Sequence, residues 1–73
     1  MEHILIKKVR HMMGMSQIEF AEFLGISQTY LCFIERGKRI PSERIVGTFR
    51  RKVDEELING VEALLEHRKK IEN

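Results

Sequence analysis

The side chains able to do specific chemistry crowd into one stretch of the sequence. Two Ser-Gln pairs, Ser16-Gln17 and Ser27-Gln28, are followed by Thr29, Tyr30, Cys32 and Phe33, then by the cations Arg36, Lys38, Arg39 and Arg44. Amides and hydroxyls of this kind trade hydrogen bonds with polar edges, and the cations attract anions. No nucleophile is set beside a base, no glycine loop is built to cradle a phosphate, and no carboxylate pair stands in a pocket-forming context. The expected class is therefore not an enzyme. Cys32 is the only cysteine, which excludes an intrachain disulfide and a cysteine-based zinc site. His3, His11 and His67 lie scattered, with no ligand spacing to one another or to Cys32, so neither metal nor cofactor is expected.

Charge is divided unevenly along the chain. Residues 1–53 hold ten Lys/Arg against five Glu, a net of +5, whereas residues 54–73 hold three Lys/Arg against six acids, a net of −3. A basic body of that kind suits a polyanion, and the acidic tail has another task. No apolar run approaches the roughly 20 residues of a membrane span, and the start lacks the apolar core of a signal peptide. A cytoplasmic protein with no membrane partner is the expectation.

The elements that must position these side chains all read as helices. Ile6, Val9 and Met13 recur at three- and four-residue spacing, predicting a first helix from about Glu2 to Met13 that stops at Gly14. Ser16 with Glu19 three residues on is a capping-box pattern. It opens a second helix with Phe20, Ala21 and Leu24 inward and Gly25 at its end. Ser27 caps a third helix, inward at Leu31 and Ile34, that runs to about Arg36, where Gly37 suits a left-handed cap. Ser42, after Pro41, caps a fourth helix carrying Ile45 and Phe49. A final amphipathic segment, about Asp54 to Glu72, places Leu57, Ile58, Val61, Leu64, Leu65 and Ile71 on one stripe, with Gly60 as a point of kinking or interruption. The fold class is all-α, a bundle of about five helices. A helix-turn-helix body spans residues 1–53, with the motif at about 16–36, and a C-terminal segment spans 54–73.

Two capped helices joined by a turn of three or four residues, with small Ala21 at their crossing and Ile26 plugging the corner, form a helix-turn-helix. That geometry lets the second helix enter a DNA major groove N-terminus first. The residues Gly14-Met15-Ser16-Gln17, Phe20-Ala21, Gly25-Ile26-Ser27 and Ile34-Glu35-Arg36-Gly37-Lys38-Arg39-Ile40-Pro41 resemble the family of lambdoid phage repressors and Cro, Xre-type regulators and restriction–modification controller proteins. The resemblance covers roughly residues 4–53. It implies a lambda-repressor-like domain, a recognition helix over residues 27–36, and binding to a two-fold symmetric operator. Lys52 departs from the pattern, standing near where family members often turn with glycine, and the C-terminal helix is longer than the core fold requires.

Roles follow from the residue types and the resemblance together. Gln28 and Thr29, at the exposed start of the recognition helix, are the candidate base readers: glutamine pairs bidentately with adenine, and threonine offers a hydroxyl or a methyl contact to thymine. Cys32 and Phe33 lie one turn on, and the family pattern turns Phe33 toward the groove. Gln17 begins a helix whose N-terminal amides favour an anion. With Ser27, Tyr30, Arg36, Lys38, Arg39 and Arg44 it makes up the candidate phosphate contacts, which fix register rather than sequence. The resemblance further implies that Arg10 and Glu35 are a structural ion pair. Leu57, Val61, Leu64, Leu65 and Ile71 are assigned to a homodimer contact, with the part before Gly60 also covering the bundle's own core. Glu62 and Glu66, against Arg68, Lys69 and Lys70, offer charge pairing across it. The overall expectation is a dimeric, sequence-specific regulator of double-stranded DNA, a repressor or controller. The alternative on the same fold is an antitoxin or a protein-binding anti-regulator, whose partner is a toxin or an antagonist protein.

Overall fold

Five helices follow one another in a computed structural model that describes the backbone of residues 2–72 and the side chains of residues 3–67. They are α1 (Glu2–Met12), α2 (Gln17–Leu24), α3 (Gln28–Glu35), α4 (Glu43–Lys52) and α5 (Glu55–Glu72). Among the described residues there is no strand.

The boundaries come from hydrogen bonds that the helix ends would otherwise lack. Ser16 Oγ accepts from the Glu19 N–H at 3.1 Å while Glu19 Oε1 accepts from the Ser16 N–H at 2.8 Å, completing the capping box. The Ser16 backbone N–H, and then its hydroxyl, hold the Glu19 carboxyl below its ordinary value of 4.5. Ser27 and Ser42 accept likewise from the N–H groups of Tyr30 and Ile45. At the end of α2 the chain turns through Gly25 at φ 76°. There the Gly25 N–H donates to Glu22 O and the Ile26 N–H to Ala21 O, the paired bonds of a Schellman stop. A side chain at that φ would crowd the following carbonyl, so glycine is required.

The core draws on every helix. Leu5, Ile6 and Val9 of α1, Phe20, Ala21 and Leu24 of α2, Leu31 and Ile34 of α3 and Phe49 of α4 pack together with Val53 and with Ile58 and Val61 of α5. Phe20 sits edge-on to Phe49, ring centroids 6.3 Å apart, and is stacked with Phe23 at 5.7 Å. Lys52 closes the far end of α2: its Nζ donates to Phe23 O at 2.8 Å and lies 5.5 Å from the centre of the Phe23 ring.

The C-terminal helix requires three corrections. Gly60 does not interrupt α5, which runs unbroken from Glu55 to Glu72: Ile58 and Val61 on either side of it are held in the core, and that packing outweighs a local cost of about 1 kcal/mol. Val61 is buried in the chain's own core, which removes it from the stripe expected to face a second chain, and Leu57 is half-buried against the same core. A chain this small has little apolar surface to spare, and α5 packs on α1. Glu62 is engaged within the chain, its Oε2 accepting from Arg50 at 3.3 Å. Leu65 is half-buried, while Leu64 stays 62% exposed. The side chains of Ile71, Arg68, Lys69 and Lys70 lie outside the described residues.

Candidate nucleic-acid interface

Helix α3 is anchored along one side and bare along the other. Leu31 and Ile34 are fully buried and Glu35 nearly so, at the three- and four-residue spacing of one helix face. The opposite face carries Gln28 and Thr29 exposed, then one turn on Cys32 half-buried and Phe33 39% exposed, with Arg36 exposed at the cap. Phe33 is thus the large apolar side chain of this helix that the core does not take. Tyr30 is half-buried against the core, which ties its ring. Ser27 is exposed beside Gln28, and Lys38, Arg39 and Arg44 follow α3 as exposed cations. Ile40, among them, is 93% exposed.

The pitch of α3 is held from behind by an ion pair. Arg10 of α1 grips Glu35 with two parallel hydrogen bonds, Nε to Oε2 at 2.7 Å and Nη2 to Oε1 at 2.9 Å. This fork geometry is available to arginine and not to lysine. Arg10 Nη1 also donates to Met15 O at 3.0 Å, and Nη2 reaches His11 Nε2 at 3.1 Å. Glu35 receives a third bond, from Gln17 Nε2 at 3.1 Å. One guanidinium and one carboxylate therefore join α1, the turn before α2, the first residue of α2 and the end of α3. The sequence marks Gln17 as a phosphate contact and gives no sign of its part in this network. The signal that points to it is chemical: a buried carboxylate has about four acceptor positions, and an arginine fork fills two of them.

Among the described residues, no group of three or more His, Cys, Asp or Glu can hold a metal ion, and no helix is long and apolar enough to cross a membrane. What the site offers is a braced helix bearing hydrogen-bonding side chains, with cations beyond its end. A family model described as helix-turn-helix matches residues 6–48, more than half of the chain. The chain belongs to the Xre/Cro-type helix-turn-helix family. No curated protein and no solved structure matches it.

For an Xre/Cro-type protein the match has a definite structural content. It takes in α1 from Ile6, the whole of α2 and α3, and the first part of α4, so it contains both helices of the motif and the Arg10–Glu35 brace. It ends before α5. The Xre/Cro-type chain is accordingly a DNA-binding regulator by family, with α3 as the second helix of its motif.

Proposed function

We propose that this regulator binds a two-fold symmetric operator as a dimer, acting as a repressor or controller, with α3 as its recognition helix in the major groove. The observation that carries the reading is the division of α3, with Leu31, Ile34 and Glu35 fixed inward and Gln28, Thr29 and Phe33 left outside. In this reading Gln28 and Thr29 take the base edges and Phe33, with Cys32, meets thymine methyls. Arg36, Lys38, Arg39, Arg44, Ser27 and the Tyr30 hydroxyl hold phosphates and set the register. Gln17 adds the second N–H of its amide, the first being spent on Glu35. Residues 1–53 supply the DNA-binding body, and 54–73 supply dimerisation beyond the turns that close the core.

A single module of this size binds weakly, and two are held at half-sites about 34–36 Å apart along the duplex. The surface that supports self-association is an apolar groove of about 310 Å³ where α1 meets α5, in which Met12 and Leu64 stand exposed beside half-buried Leu65, over buried Val61 as its floor and with Lys8 and His67 at its edge. Met12 is 64% and Leu64 62% exposed, a pairing that one copy offers to the same patch on another. Sedimentation of the parent chain against Leu64→Asp tests this. The parent is expected to be dimeric at tens of micromolar and the variant monomeric, with the variant's helical content unchanged. A dimeric variant, or a parent that stays monomeric even on its operator, would place the contact elsewhere.

A further inference from the structure

The outer side of α1 carries cations that neither the core nor the base-reading face uses. His3, Lys7 and His11 recur every four residues and so stack along one side of the helix. With Lys8 and Arg36 they line a cleft of about 320 Å³ between α1 and the end of α3. Its inner edge is the turn that closes α3: a Cβ placed on Gly37 would stand 3.5 Å from the His3 ring. The cleft includes one carboxylate, Glu35, whose charge is already taken up by both bonds from Arg10 and the third from Gln17. Lys7, Lys8 and Arg36 are exposed and have no ion-pair partner among the described residues. Arg10 Nη2 stands 3.1 Å from His11 Nε2, which holds the imidazole at the edge of the cleft. Three uncompensated positive charges around a concavity, with imidazoles among them, focus potential on an anion.

We propose that this cleft binds phosphodiester groups of the duplex flanking each half-site, extending the interface past the bases that α3 reads. The inference rests on the reading of α3 as the recognition helix. Two features favour a nucleic-acid backbone as the source of the phosphate. Arg36, exposed at the end of α3 and read above as a phosphate contact, also lines the cleft, so the two share one cationic surface. The strip from His3 to His11 is also about 12 Å long at 1.5 Å per residue, room for more than one phosphate in a row.

The test measures binding of the full chain to its selected site in two forms, trimmed to the site or carrying random flanks. The parent is expected to bind the flanked duplex several-fold more tightly. Lys7→Glu, on an exposed helix position, is expected to abolish that advantage while matching the parent's sequence preference. With flanks, its salt dependence should be shallower by about 0.9 in log–log slope for each phosphate that the variant no longer neutralises. Equal affinity of the parent for both duplexes, or a Lys7→Glu defect of the same size on both, overturns the proposal. Inorganic triphosphate supplies the other arm: saturable shifts of the His3 and His11 ring signals at micromolar concentration, without DNA, would assign the cleft to a free phosphate ligand instead. A parent that binds the trimmed duplex without sequence preference overturns the recognition-helix reading and this one with it. A specific parent indifferent to flanks overturns this one alone.

Discussion

Arg10 and Glu35 show how far a single residue pair reaches in a chain this small. Both side chains are nearly excluded from water, at 11% and 2% exposed, so each carries a desolvation cost that its partner does most to offset, with Gln17 and Met15 O supplying further bonds. Arg10→Met would leave the Glu35 carboxylate buried with Gln17 as its remaining side-chain partner, and is expected to destabilise the fold by about 3–5 kcal/mol. Arg10→Met combined with Glu35→Leu should recover much of that deficit, because no buried charge is left over. Chemical denaturation of the parent, both single variants and the double completes the cycle, and simple additivity would show that the pair does not interact. The pair was legible through family resemblance alone. Spacing said nothing of it, since 25 residues separate its members. The Gln17 bond to Glu35 was hidden for the same reason, and the type of Gln17 pointed equally well to a phosphate.

The order of the helices was legible because each boundary has its own local chemistry. Serine caps at 16, 27 and 42 satisfy amides within three residues, and a left-handed glycine follows α2. Neither device needs the rest of the protein. Gly60 misled for the converse reason: its cost is local, whereas what overrides it is the packing of α5 on α1. The two kinds of glycine should therefore respond oppositely to alanine. Gly25→Ala forces a side chain into positive φ and is expected to destabilise by about 1–2 kcal/mol. Gly60→Ala adds a Cβ that meets nothing within 4 Å and is expected to stabilise by up to about 1 kcal/mol from helix propensity. Thermal melts of the two variants check this, and a destabilised Gly60→Ala would contradict the account of α5. The burial of Val61 was beyond the reach of periodicity. An apolar stripe looks the same whether it covers its own core or a second chain.

For the whole molecule, these parts make a small basic body that exists to hold one helix at a fixed pitch. The core fixes the inward side of α3, the Arg10–Glu35 brace fixes its end, and the net charge of +5 over residues 1–53 draws the body to a polyanion. Base reading and phosphate holding should then be separable in one measurement: selection of bound sites from random duplex by the parent, Gln28→Ala and Lys38→Ala, followed by titration on the selected site. The parent is expected to yield a palindromic motif. Gln28→Ala should relax preference at one base pair in each half-site at a cost of about 1–3 kcal/mol, and Lys38→Ala should weaken all sequences alike and leave the motif intact. A Gln28→Ala chain that selects the parent's motif unchanged would contradict the placement of α3 in the groove.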